Sequence, residues 1–195
     1  MGRQAAAGSR ERNVPRLDAA DEAELMTQVR AHDLRAFERL YRSYHPRLSR
    51  FLMNLTHRPQ LVEEVLNDTM LVVWRKPEGF NGASKLSTWI FAIAYRKALK
   101  ALRRDDPPLE DKASDHRPSP EPGPDHHLDE LQTRQALLEA MGELSPTHRA
   151  VVDLTYFHET GYREIAEIMD CPVDTVKSRM YYARRHLKRA MANWP

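Results

Sequence analysis

Near its C-terminus the chain reads Gly161-Tyr162-Arg163-Glu164-Ile165-Ala166-Glu167-Ile168-Met169-Asp170-Cys171-Pro172, and continues through Val173-Asp174-Thr175-Val176 to Arg189. This is a pattern of two helices with a tight joint. Ile165, Ala166, Ile168 and Met169 give the first a short apolar stripe, and Pro172 suits the first turn of the second, where a missing N–H costs nothing. At about 100° per residue, Val176, Met180, Ala183 and Leu187 superpose on one face, which must be buried. Asp174, Ser178, Tyr181, Arg185, Lys188 and Arg189 centre on the opposite face, with Lys177 and Tyr182 at its margins. Lys177, Arg179, Arg184, Arg185, Lys188 and Arg189 face only one acid, Asp174. Polar and aromatic side chains for base edges, with cations for phosphates, describe a helix-turn-helix whose second helix enters a major groove. Charge alone would suit a solvated helical hairpin equally well; the Cys-Pro joint and the Ser and Tyr among the cations favour DNA.

The wording of the stretch, Glu164-Ile165-Ala166, Cys171-Pro172-Val173-Asp174-Thr175-Val176-Lys177-Ser178-Arg179 and Ala183-Arg184, resembles the C-terminal promoter-reading domain of extracytoplasmic-function sigma factors, transcription initiation subunits of bacterial RNA polymerase. A second match lies upstream. Glu64-Val65, Asn67-Asp68 and Trp74-Arg75, then Phe80-Asn81-Gly82, Ser87-Thr88-Trp89-Ile90 and Ile93-Ala94, resemble the promoter-melting domain of the same family. Two domains of one family in the right order are far more specific than either alone.

Composition sets bounds that agree with this. The chain has 195 residues, 41% hydrophobic and 30% charged, with a net charge of +2, so nucleic-acid affinity must come from local clusters. No run of about 18 apolar residues is present, so no membrane insertion is expected. Residues 1–19 lack the apolar stretch of a secretory signal and read as a disordered tail. The single cysteine, Cys171, excludes an internal disulfide and suits a cytoplasmic location.

From Ala20 to Arg104 the pattern is helical throughout, with no alternating strand. Ala23 to His32 reads as a short helix. Leu34, Phe37, Leu40, Tyr41, Tyr44, Leu48, Phe51, Leu52 and Leu55 form a long stripe in which Pro46 predicts a kink or a break. A third helix, Pro59 to Arg75, buries Leu61, Val62, Val65, Thr69 and Val72 and turns Glu64, Asn67, Asp68, Leu71 and Arg75 outward. Residues 76–84 form a loop. The fourth helix, from Lys85 or Leu86 to Arg104, puts Trp89, Arg96, Lys100 and Arg103 on one side and Phe91, Tyr95, Ala98 and Leu102 on the other. A basic arc headed by a Trp suits a partly unpaired strand; a core Trp beside a solvated basic face fits the spacing as well.

Residues 105–128 hold Pro107, Pro108, Pro118, Pro120, Pro122 and Pro124 among an excess of acids, and read as a flexible linker. It would span about 27 Å as a coil and at most about 74 Å as polyproline helix. In the family this linker threads the polymerase's RNA path; a solvated spacer is the plain alternative. His126-His127 lacks ligands at metal spacing. From Asp129 a helix carries Leu131, Ala136, Leu137, Leu138 and Met141; Ser145-Pro146 caps the next, with Val151, Val152, Leu154 and Tyr156 as core.

The expected protein is therefore all-α: a promoter-melting helical domain (20–104) and a C-terminal helix-turn-helix domain (129–192) joined by a flexible, Pro-rich, acidic linker. The resemblance implies that Glu64, Asn67, Asp68 and Leu71 dock on core RNA polymerase. It implies that Phe80, Asn81, Ser84, Lys85 and Trp89 hold the melted −10 element, with Arg96, Lys100 and Arg103 gripping the duplex upstream. In the C-terminal domain Thr175, Lys177, Ser178, Arg179, Tyr181, Tyr182 and Arg185 would read the −35 element. Asp174 stands where the family usually has Gly, and Arg96 and Lys100 replace residues that are usually neutral or acidic. Asp174 either favours the helix N-terminus or accepts from a cytosine amine. The family also implies promoter DNA and an anti-sigma factor as partners. No cofactor or metal is expected, and no Gly-rich phosphate loop or nucleophile–base pair suggests an enzyme. The competing reading is a stand-alone helix-turn-helix regulator binding an operator as a dimer, which would bind specific DNA without core polymerase.

Overall fold

A computed structural model of the chain describes residues 17–105 and 129–192, apart from the side chains of residues 105 and 129–135. Residues 1–16 of the tail, most of the linker and His126-His127 lie outside the described residues, which contain helices and no strand. α1 (Ala19–Arg30) begins earlier than the apolar pattern predicts, because Asp18 caps it: its Oδ1 accepts from the Asp21 N–H at 2.8 Å. α2 (Leu34–Thr56) is capped by Asp33, which accepts from the Arg35 and Ala36 amides. Left-handed residues at His32 and His57 end the helices before α2 and α3, so each connection reverses the chain within a few residues. α3 (Pro59–Arg75) starts on its proline, a 3₁₀ turn spans Pro77–Gly79, and α4 (Leu86–Asp105) closes the first domain.

Pro46 does not break α2, which runs through it. Tyr44, Leu48, Phe51 and Leu52 lie on both sides of it and are fully buried, so packing outweighs the one helical hydrogen bond that a proline forfeits. Leu34, counted in the stripe, is exposed, because it is the first helical residue and projects beyond the packed face. In α3 Val72 is only half-buried; Leu66, Met70 and Val73 fill that side of the core. Tyr44 ties α1 to α2: its hydroxyl donates to Glu22 Oε1 at 2.5 Å. Burial and, after it, the neighbouring Glu22 charge push the phenol pKa far up, so it stays a neutral donor.

The second domain contains α5 (Asp129–Glu143), α6 (Pro146–Tyr156), α7 (Tyr162–Met169) and α8 (Val173–Ala192). Ser145 caps α6, with Pro146 in the first turn, as the sequence predicts. Tyr156 is not core: it is 56% exposed, and Arg184 reaches it from α8, Nε donating to the hydroxyl at 3.1 Å. Leu137 and Leu138 of α5 are also exposed, while Ala136 and Ala140 face inward. The two domains do not stand apart. α6 lies on the C-terminal half of α2, and α7 lies on α4, so that Phe91 through Tyr95 are buried all round.

Candidate nucleic-acid interface

α7 and α8 form the expected helix-turn-helix. α7 ends at Asp170, whose φ of 50° is left-handed. The Cys171 N–H then bonds back to the Ala166 carbonyl at 3.0 Å, and the Pro172 carbonyl receives the Thr175 and Val176 amides. Pro172 thus stands just ahead of α8 rather than inside its first turn. Val176, Met180 and Ala183 are buried, and Leu187 packs beside them. That burial fixes the rotation of α8 and turns Asp174, Lys177, Ser178, Tyr181, Tyr182 and Arg185 to solvent. Tyr181 and Tyr182 stack edge to face at 5.5 Å, which holds two large amphipathic rings on the outward face. Thr175 and Arg179 are half-buried at its flank; Arg179 Nη1 donates to Cys171 Sγ at 3.7 Å. Asp174 Oδ1 accepts from Lys177 Nζ at 2.9 Å, with both side chains largely exposed.

In the first domain the loop before α4 gathers a second set. Phe80 and Trp89 stack at 5.6 Å, and a Cβ on Gly79 would meet the Trp89 ring at 3.4 Å. Asn81 and Lys85 are exposed, Ser84 half-buried, and the Asn81 side chain accepts from the Ala83 amide, shaping the turn. Arg96, Lys100 and Arg103 follow along the exposed side of α4. Trp89 is half-buried against the core rather than freely presented, and its stacked partner Phe80 is half-buried there as well. Sequence reasoning missed Arg30. It reaches from the end of α1 and donates to the Phe80 carbonyl at 2.5 Å, across fifty positions of chain, with no local pattern to signal it.

The third set lies on α3. Glu64, Asn67, Asp68 and Leu71 are all exposed on one side. Asp68 pairs with Lys97 at 2.9 Å, and the Tyr41 hydroxyl donates to Asn67 Oδ1 at 3.3 Å. Burial and the Glu63 charge raise the Tyr41 pKa, which keeps it a donor. Leu71 is the apolar member of this acidic face, 41% exposed.

Comparison with known proteins identifies the family. Residues 40–107 match the family model "Sigma-70 region 2", and residues 134–187 match "Sigma-70, region 4". The chain is 31% identical over 186 residues to the ECF RNA polymerase sigma factor RpoE of Cereibacter sphaeroides, covering 90% of this chain and 97% of that one. The chain belongs to the ECF sigma factors. Another relative, SigK of Mycobacterium sp. (strain KMS), is 28% identical over 86% of this chain and 89% of its own length. Among solved structures, the sigma factor RpoE in complex with the anti-sigma factor NepR, from Bartonella quintana, superposes with a TM-score of 0.58 at 26% identity, covering 75% of this chain and 91% of that chain. CnrH in complex with the cytosolic domain of CnrY shares the fold, with a TM-score of 0.64 at 20% identity over 90% of this chain and 98% of that one. As an ECF sigma factor the protein binds core RNA polymerase and directs it to promoter DNA. The stand-alone regulator reading is set aside, because the polymerase-binding region is present as well as the helix-turn-helix. No described helix of this sigma factor is long and apolar enough to cross a membrane.

Proposed function

We propose that this sigma factor reads its promoters through two separate residue sets and docks on polymerase through a third. α8 reads the −35 element with Asp174, Thr175, Lys177, Ser178, Arg179, Tyr181, Tyr182 and Arg185. Phe80, Asn81, Ser84, Lys85 and Trp89 hold the melted −10 strand, and Arg96, Lys100 and Arg103 bind phosphates upstream. Glu64, Asn67, Asp68 and Leu71 meet core polymerase. The protein acts in the cytoplasm by binding, without catalysis of its own, and an anti-sigma factor is among its partners, as the Bartonella quintana relative is found in complex with one. The observation that carries this reading is the outward face of α8, where exposed cations and two stacked tyrosines stand over a fully buried apolar seam.

The test is holoenzyme affinity for a set of −35 variants at fixed salt, wild type against Asp174→Gly. The carboxylate is 89% exposed at the start of the helix, where it can accept from a cytosine amine. Its loss is expected to remove about 1–3 kcal/mol of discrimination at one −35 position. A uniform gain at every position would leave Asp174 as a helix-start residue that only repels phosphates.

Arg30 supports the −10 loop from behind. Arg30→Ala is expected to leave polymerase binding unchanged and to reduce open-complex formation about fivefold, the loss of roughly 1 kcal/mol for one exposed charge-assisted hydrogen bond. Permanganate reactivity of unpaired thymines measures it, and unchanged reactivity would mean that the loop holds its shape alone.

A further inference from the structure

We propose that Arg184 is a phosphate clamp positioned by Tyr156, and that with Lys188 it grips the DNA strand bordering the −35 major groove without reading its bases. This rests on the reading of α8 given above and goes beyond it, since none of the three residues belongs to the set assigned to the −35 element.

Tyr156 ends α6 with 56% of its surface exposed, and Phe157 beside it is 53% exposed. Rings left in solvent at a helix end add little to a core. Arg184 uses one of them. Its Nε donates to the Tyr156 hydroxyl at 3.1 Å, and its guanidinium carbon stands 5.8 Å from the centre of the same ring. Two contacts to one side chain restrict the planar guanidinium, yet they consume only Nε and leave the Nη hydrogens for another acceptor. The partner is neutral, so the cation is oriented without its charge being cancelled. Lys177 shows the opposite case, paired with Asp174 at 2.9 Å.

Arg184 is also part of a continuous surface. An open trough of about 620 Å³ runs along α8, lined by Lys177, Tyr181, Arg184, Arg185 and Lys188 and, across from them, by Tyr162 at the start of α7. Its described lining includes four cations and two tyrosines and no carboxylate. Lys177, Tyr181, Arg184 and Lys188 recur at three- and four-residue spacing, which makes one row roughly 16 Å long at about 1.5 Å of rise per residue. The row lies on the α7 side of the base-reading centre. In a docked helix-turn-helix the second helix enters the major groove while the first crosses the backbone. A row on that side of α8 therefore borders phosphates rather than base edges, and Arg, Lys and Tyr are side chains that bond phosphate oxygens. An acidic protein surface would suit the cations as well. The trough shares Tyr181 and Arg185 with the reading face, however, and that continuity assigns it to DNA. Ordering Arg184 before DNA arrives reduces the freedom lost on binding.

The experiment measures holoenzyme affinity for duplex promoter DNA over a series of salt concentrations. It compares wild type with Arg184→Ala, Arg184→Lys, Tyr156→Phe and the double variant Tyr156→Phe/Arg184→Ala. Both side chains are exposed, so equal helical circular dichroism is expected throughout. Arg184→Ala is expected to bind about tenfold more weakly, with the slope of log affinity against log salt reduced by about 0.9, one phosphate contact. The ranking of −35 variants should stay as in wild type. Tyr156→Phe and Arg184→Lys keep the charge, so each should keep the slope and lose about threefold in affinity. The double variant should bind no more weakly than Arg184→Ala, because a positioning residue has then nothing to position. Unchanged affinity or slope in Arg184→Ala would overturn the clamp, as would a changed base ranking or additive losses in the double variant. Failure of the wild-type holoenzyme to protect the −35 element would overturn the reading of α8 together with the clamp, whereas intact protection with an unaltered slope overturns the clamp alone.

Discussion

Leu71→Arg combined with Asp68→Arg is expected to abolish co-purification with core RNA polymerase while helical content stays at the wild-type level. Both residues are exposed on one side of α3, whose other side supplies Leu66, Met70 and Val73 to the core. The helix can therefore accept arginine at both places without losing buried area. Leu71 is the apolar centre of an otherwise acidic and polar surface, the arrangement in which a few central contacts dominate binding. Reversing the charge beside it adds repulsion against a partner selected for the opposite sign. A loss of roughly 3 kcal/mol is expected, a hundredfold or more in affinity. Asp68 also pairs with Lys97, so Asp68→Arg alone serves as the control for any disturbance between α3 and α4. Undiminished assembly in a pull-down would move the docking face elsewhere on the molecule.

Val176→Asp is expected to unfold the helix-turn-helix domain and erase protection of the −35 element, while polymerase binding through α3 survives. Val176 is 0% exposed, and with Met180 and Ala183 it makes the seam by which α8 is held. A carboxylate there has no buried donor assigned to it and must be dehydrated or protonated, a cost of several kcal/mol. A helical domain of this size has little stability in reserve. Val176→Ala, which removes volume but adds no charge, should be milder and keep partial protection. Footprinting of the two holoenzymes measures the difference; full −35 protection with aspartate in place would show that α8 does not depend on this seam.

The helix-turn-helix was legible because its evidence is local: a proline at the joint, an apolar residue every three or four positions, and cations opposite. The helices of the first domain were legible for the same reason; Pro59 marked the start of α3 there, and Ser145 the start of α6 in the second domain. Local rules misjudged Pro46, where buried neighbours on both sides hold the helix together, and Tyr156, whose apolar-looking position ends in solvent under Arg184. Periodicity assigned α4 one buried side. It could not show that α7 would cover another, since the residues that meet across the domains lie far apart in sequence. Asn54 and Asp153 are 99 positions apart, and neither breaks any pattern in its own helix. Arg30 was invisible in the same way, as an ordinary basic residue at a helix end.

Phe51 belongs to two interiors at once, packed against Phe91 of its own domain at 5.2 Å and against His158 of the other. Residues placed like this tie the histories of the two domains together. A change at Phe51 that suits one side must also be tolerated by the other, so the C-terminal half of α2 and the turn carrying His158 should drift in step. A chimera that takes its promoter-melting domain from one relative and its helix-turn-helix from another would inherit two competent halves with a mismatched join. Exchange of −35 preference between relatives is therefore simplest by replacing the outward face of α8 alone, which shares no side chain with that join.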